Sequence, residues 1–287
     1  MSAIQKVAVI GAGSMGHQIA MLSALGGFET NLQDIEQKSL EKAKDQLEGH
    51  MEKWVKKGKI TDEKRQEAFE RLHMTTDVGE AVTDVDLVIE AVVENLDVKQ
   101  QVFKQLDQLA PHHAILATNS STIVNSKLAE VTNRPAQVCN MHYFYPPLVM
   151  DCIEVVKSEQ TSEETMDAVM NYCEQIGRTG FRLEKEIYGF IANRILFALN
   201  KEALKLYEEG YADYKDIDGI VKKALGHPLG PFELMDLSGI DVVHNANLQL
   251  YNETGDEDDK PAKSVEEKVR AGEFGRKTGK GWYDYSN

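Results

Sequence analysis

The chain has 287 residues, enough for two ordinary domains, and its 42% hydrophobic and 28% charged content is that of a folded protein rather than a disordered one. A formal net charge of −15 disfavours nucleic acid or an anionic membrane as the main partner, since both reward clustered positive charge. No apolar run nears the ~20 residues that span a bilayer, strand-like residues begin at Ile4 with no targeting segment before them, and three cysteines (Cys139, Cys152, Cys173) without a C-x-x-C pair suggest neither a disulfide framework nor a metal site; a cytoplasmic protein is expected.

The elements follow in order. Val7-Ala8-Val9-Ile10 reads as a parallel strand buried on both faces, and Ser14 to Gly26 as a helix. A second strand, Phe28 to Leu32, ends at Asp34 and completes a βαβ unit. Ile35 to Lys59 is a long charged helix interrupted at Gly58, and Thr61 caps a further helix from Asp62 to Leu72, which together predict an inserted helical hairpin. Strand character returns at Leu87 to Ile89, Ala114 to Ala117 and Gln137 to Met141, with a helix from Asp97 to Leu109 after the first. Cys152 to Val156 is a further strand, and an acidic helix runs from Ser162 to Ile176; beyond it strand signals largely stop. The span from Phe190 to Glu209 lacks Gly and Pro and is apolar all round its middle, as expected of a helix buried between domains or subunits. The predicted fold is α/β: a Rossmann-type, mostly parallel sheet with the helical hairpin inserted (1–185), followed by an all-α C-terminal domain (186–287).

The turn after the first strand is Gly11-Ala12-Gly13-Ser14-Met15-Gly16. A Gly-x-Gly-x-x-Gly pattern alone is weak, but here it lies between a buried strand and a helix. Gly11 permits the tight turn, Gly13 lets backbone approach a pyrophosphate, and Gly16 lets the helix pack on the strand, with the helix N-terminus facing the phosphate charge. Asp34 at the end of the second strand is placed to accept hydrogen bonds from an adenosine ribose, and Ile35 rather than Arg follows it. A 2′-phosphate would be repelled, so the cofactor expected is NAD rather than NADP.

His142 ends a strand and Glu154 lies in the next, where a hairpin-like return could pair them. Imidazole titrates near neutral pH and can take a hydroxyl proton as hydride leaves carbon, while a carboxylate on its other nitrogen would fix the tautomer and stabilise the imidazolium. By itself such a pair also fits a structural role.

The sequence resembles the L-3-hydroxyacyl-CoA dehydrogenase family along essentially its whole length. The resemblance runs through Gly11 to Gly16, Val88 to Asn95, Ala117-Thr118-Asn119-Ser120-Ser121-Thr122, Met141-His142, Ile153 to Val156, Gly189 to Arg194, His227 to Asp236 and Gly275 to Tyr285. It implies that His142 is the general base and Glu154 its orienting partner. It implies that Ser121 and Asn193 contact the substrate oxygen, and that Glu94 and Lys99, like Ser121, contact the cofactor. Lys53 and Lys57, one helical turn apart, would meet the CoA end of an acyl-CoA substrate, although a lysine cluster also reads as a solvated helix face. The enzyme expected is an NAD-dependent oxidoreductase of 3-hydroxyacyl-CoA, acting as a homodimer.

Three departures qualify the resemblance. Where the family has Asn three residues after the catalytic His, in His-Phe-Phe-Asn-Pro, this chain has Tyr145, so the contact to the nicotinamide must differ. Asp151-Cys152 replaces Lys-Leu, and His17-Gln18 stands where small residues are usual. Two rivals stay open: an NAD-dependent dehydrogenase of a free 3-hydroxy acid such as carnitine or gulonate, and an NAD-binding structural protein without chemistry.

Overall fold

The computed structural model describes residues 4–286. Its first part runs β1 (Lys6–Ile10), α1 (Gly16–Leu25), β2 (Glu29–Gln33), α2 (Gln37–Lys56), α3 (Asp62–Glu70), β3 (Leu72–Thr75), α4 (Val78–Val82), β4 (Leu87–Glu90), α5 (Leu96–Leu109), β5 (Ile115–Thr118), α6 (Ser126–Ala129), β6 (Val138–Tyr143), β7 (Ile153–Val156), α7 (Glu163–Gln175) and β8 (Gly180–Leu183). The helices α8 (Ala192–Glu208), α9 (Tyr214–Ala224), α10 (Pro231–Ser238), α11 (Ile240–Thr254) and α12 (Lys263–Arg270) follow. The chain divides into two compact units, the first closing at Phe190, a few residues beyond the boundary expected at 185.

The first unit is built on one eight-stranded sheet in the order β3-β2-β1-β4-β5-β6-β7-β8. Strands β1 to β6 are parallel, and β1, β4 and β5 read as continuous apolar runs because helices cover both faces. Strand order reverses between β1 and β4, and in such sheets the crevice outside the carboxyl ends at that point is where ligands bind. The antiparallel β6–β7 pair and the parallel β7–β8 pair extend the sheet. The helical hairpin is present: α2 buries Leu40, Ala43, Leu47 and Met51, a single stripe at helical spacing, against the core that α1 and α3 share. Thr61 caps α3 through the amide of Lys64, 3.2 Å away.

Two strands lie outside the expected pattern. β3 (Leu-His-Met-Thr) and β8 (Gly-Phe-Arg-Leu) are the edges of the sheet, four residues each, and their polar and exposed residues hide the alternation that marks a strand. Arg182 on β8 is tied to Glu163, Asp167 and Glu184, which keeps that edge charged.

In the second unit, two buried aspartates explain why the segments 227–236 and 275–285 occur together. Asp218 accepts the amides of Phe232 and Glu233 at 2.9 and 3.0 Å, capping α10, and the Tyr283 hydroxyl at 2.8 Å. Asp236 accepts the amides of Trp282 and Tyr283, both at 2.8 Å. These motifs hold each other in place around the Phe232–Trp282 core. On helix α8, Asn200, Ala203 and Leu204 are buried and Ile195 is 65% exposed, so part of its apolar surface is left uncovered by the chain itself.

Candidate active site

The glycine loop joins β1 to α1 at the switch point. Gly11 has φ +102°, and a Cβ there would lie 2.7 Å from the Ala91 carbonyl oxygen at the end of β4. A Cβ on Gly16 would sit 1.7 Å from the Gly11 carbonyl oxygen, so helix and strand can approach only with glycine there. A Cβ on Gly13, by contrast, would meet no protein atom and would project from the open face of the loop. Helix α1 has no side-chain cap on its N-terminus, at Ser14 and Met15, leaving that end suited to an anion. Asp34 braces the loop, accepting the Ala12 amide at 2.8 Å and the Glu36 amide at 3.0 Å, and Ile35 beside it is exposed. An open Gly13, an uncapped helix end and the Asp34 carboxylate fit the pyrophosphate and ribose of NAD.

His17 and Gln18 turn back onto this loop. The His17 Nδ1 lies 2.5 Å from the Gly13 carbonyl oxygen, and the Gln18 Nε2 donates to that of Ser14 at 3.1 Å. Burial, with a smaller push from His50 and Lys42, lowers the His17 pKa despite the bond to Gly13; a carbonyl only accepts, so Nδ1–H is the donor.

Below the loops that follow β4 and β5 lies a buried ionic network that the sequence reading missed. Glu90 is 0% exposed; its Oε1 accepts the Lys99 Nζ and the Val92 amide, each at 2.7 Å, and its Oε2 accepts the Thr118 hydroxyl at 2.6 Å. Lys99 is itself only 1% exposed and its Nζ lies 3.4 Å from Glu94 Oε2. The structure therefore places Lys99 beneath the loop, between two carboxylates, rather than on the surface with Glu94. Glu94 in turn gathers the turn after β5: its Oε1 accepts the Ser120 hydroxyl (2.5 Å), the Ser121 amide (3.0 Å) and the Thr122 hydroxyl (3.0 Å). Burial works to raise the Glu94 pKa, but the Lys99 charge and these hydroxyl bonds overcome it and hold the carboxyl below the usual 4.5. A signal for Glu90 was present: a carboxylate closing the apolar run Leu87-Val88-Ile89 must find a partner, and Lys99 is a nearby cation on the following helix.

Antiparallel pairing sets His142 on β6 directly opposite Glu154 on β7, and His142 Nδ1 lies 2.8 Å from Glu154 Oε2, with both side chains buried. A carboxylate only accepts, so Nδ1 carries the proton and Nε2 keeps its lone pair. Phe144 and Phe190 pack on the imidazole with ring centroids 4.5 and 5.6 Å away. Phe190 holds φ +47°, a left-handed conformation that costs a non-glycine residue about 1–3 kcal/mol and that burial of its ring offsets. Asn140, two residues before His142 on the same face of β6, donates to the Ser120 carbonyl at 3.0 Å, so the Ser121 turn is anchored to the strand that carries the histidine.

The first unit thus carries the loop from Gly11 to Gly16, Asp34, Glu94, Ser121, His142 and Tyr145 at or just past the carboxyl ends of its parallel strands, with Lys99 on α5 beneath Glu94 and Glu154 at the amino end of the antiparallel β7. Lys53 and Lys57 are exposed at the C-terminal end of α2. Asn193 lies in the first turn of α8, in the second unit.

Family models for the 3-hydroxyacyl-CoA dehydrogenase NAD binding domain and C-terminal domain match residues 6–187 and 189–285. The chain belongs to the 3-hydroxyacyl-CoA dehydrogenase family. It is an NAD-dependent oxidoreductase of that family. Its sequence is 39% identical, over 98% of this chain and the whole of the other, to a protein of Deinococcus radiodurans named as a probable 3-hydroxybutyryl-CoA dehydrogenase. Its fold matches that of the (S)-3-hydroxybutyryl-CoA dehydrogenase of Ralstonia eutropha with a TM-score of 0.94 at 35% identity, covering 99% of this chain and all of that one. It also matches, with a TM-score of 0.89 at 33% identity and over 99% and 100% of the two chains, a diketoreductase described by its dual catalysis of dicarbonyl compounds.

Replacing Lys99 by Met leaves Glu90 buried without its cation, and is expected to cost about 3–5 kcal/mol in urea unfolding. A depressed carboxyl pKa contributes stability that is full above the unfolded value and is lost as pH falls through the folded one. The wild type should therefore lose stability below about pH 4.5 more steeply than Glu94→Gln, as read from unfolding midpoints between pH 3 and pH 6.

Proposed function

We propose that the protein oxidises (S)-3-hydroxyacyl-CoA, of short chain, to the 3-oxoacyl-CoA, with His142 as general base and Glu154 as its orienting partner. The observation that carries this reading is the 2.8 Å bond from His142 Nδ1 to Glu154 Oε2, which fixes the tautomer with Nε2 free to accept a proton. NAD, when bound, accepts the hydride from the carbon that carries the hydroxyl. As that carbon becomes a carbonyl, His142 Nε2 takes the hydroxyl proton, and Glu154, already hydrogen-bonded, stabilises the imidazolium at little reorganisation. Glu94 fixes the Ser121 turn through the Ser121 amide at 3.0 Å; the Ser121 hydroxyl, whose one proton faces Glu94 Oε1 at 3.4 Å, would turn it to the developing carbonyl, and Asn193, on the family pattern, would supply a second neutral donor. The loop Gly11 to Gly16 and Asp34 would hold the dinucleotide, Glu94, itself braced by Lys99, would support its nicotinamide half, and Tyr145 would face the nicotinamide. Lys53 and Lys57, exposed on α2, take the CoA phosphates.

A second reading, a dehydrogenase of a free 3-hydroxy acid, is favoured by one observation: Tyr145 stands where the family pattern has an amide three residues after His142. The partner proposed is a second copy of the chain, seated on the exposed apolar surface of α8. Three free thiols favour a reducing, cytoplasmic setting, and among the described residues no helix is long and apolar enough to cross a membrane.

His142→Gln should lower kcat for NADH-dependent reduction of acetoacetyl-CoA by about 10²–10⁴-fold with NADH binding retained; near-normal turnover sinks the assignment. Replacing Lys53 and Lys57 together by Ala should raise KM for acetoacetyl-CoA about tenfold while leaving the NADH Kd in place, and an unchanged KM shifts the case to the free acid.

A further inference from the structure

Gln18 and Tyr145, two of the positions that depart from the family pattern, are distant in sequence, yet Gln18 is bonded to the turn that Tyr145 begins. Gln18 is 3% exposed in the first turn of α1. Its amide nitrogen donates to the Ser14 carbonyl of the phosphate loop, which orients the other end of the same amide. There Oε1 accepts the backbone amide of Leu148 at 3.3 Å, in the turn that begins at Tyr145. An amide supplies one donor and one acceptor on a side chain long enough to bridge the two loops; a small residue could do neither.

The same turn is gripped from its other side. The Arg178 guanidinium donates to the carbonyls of Pro147 at 3.3 Å and Leu148 at 2.9 Å. Within the turn the amides of Val149 and Met150 both donate to the Pro146 carbonyl, at 2.9 and 3.0 Å, and Asp151, a further departure, closes it by accepting the Thr179 amide at 2.7 Å. The backbone is held from Pro146 to Met150, while the side chains of Tyr145, Val149 and Met150 stay 66%, 62% and 40% exposed. A fixed turn that displays an apolar rim three residues past His142 is suited to reading the shape of an apolar group presented to that histidine.

We propose that Gln18 is a positioning residue that locks the Tyr145 turn to the phosphate loop, and that through this tie Tyr145 selects among 3-oxo substrates by the length of their acyl chain. The proposal rests on the dehydrogenase activity and on His142 marking the reacting end. Gln18→Met keeps the length and helical preference of the side chain and removes both hydrogen bonds, leaving the Leu148 amide without its acceptor. The test measures kcat and KM for a panel of 3-oxoacyl-CoA esters of four to ten carbons, together with the free 3-oxo acids, in the wild type, Gln18→Met, Tyr145→Asn and the double variant. Gln18→Met is expected to change the ratio of kcat/KM between short and long substrates about threefold to tenfold, mainly through KM, and to add less than about twofold in the Tyr145→Asn background, because sites that act through one shared backbone segment couple. An unchanged ratio in Gln18→Met, or ratios that multiply independently in the double variant, overturns the proposal. A uniform fall in kcat across the panel with no change in ratio also overturns it, since that is what simple loosening of the fold would produce. A wild type that turns over only the free acids refutes the CoA reading while the cycle is still read on those acids.

Discussion

A carboxylate buried at the end of a strand cannot stand alone, and the cofactor end of this sheet is arranged around that constraint at Glu90. The charge is balanced by Lys99 and distributed over the Val92 amide and the Thr118 hydroxyl. Because Lys99 also faces Glu94, the loop after β4 takes its position from the same cation, and Glu94 passes that position to Ser120, Ser121 and Thr122 after β5. The two loops that flank the switch point are thus one electrostatic unit. The Gly11 backbone fits against Ala91 on one of them, so the phosphate loop packs onto that unit as well.

The His142–Glu154 pair depends on a different constraint, the register of β6 and β7. In an antiparallel ladder opposed residues share a face, so a one-residue slip would send Glu154 to the other side of the sheet and leave His142 without its carboxylate. The register is backed by the core on both sides of the pair, with Met141, Tyr143, Ile153 and Val155 all buried. Asn140 then joins this strand to the Ser121 turn, and Phe144 and Phe190 hem in the imidazole. The imidazole is held in orientation by packing as well as by its hydrogen bond, the condition that the proposed proton transfer requires.

The order of strong elements was legible in the sequence because apolar runs and capping residues are local signals. β1, β4, β5, β6 and the hairpin α2–α3 lie within a few residues of their expected bounds. The edge strands β3 and β8 were not legible, since an edge needs charge and brevity rather than alternation, and strand character there comes from the neighbour it pairs with. Helix α8 reads from its sequence as buried between domains or subunits; periodicity reports that a face wants cover and not what covers it, and the chain itself leaves Ile195 exposed.

The sequence by itself determined the dinucleotide loop, the Asp34 that ends the second strand, the pairing of a histidine with a glutamate across a hairpin return, and the family. Each of these depends on residue type at short spacing, which the chain carries explicitly. Only the tertiary structure decided that Lys99 is sunk between Glu90 and Glu94, that Asn140 anchors Ser121's turn, and that Gln18 meets the turn of Tyr145. Those contacts join segments whose separation along the chain is set by helices and loops. Which side chains meet there follows from packing and from the need to satisfy buried polar groups, and neither is written in local pattern.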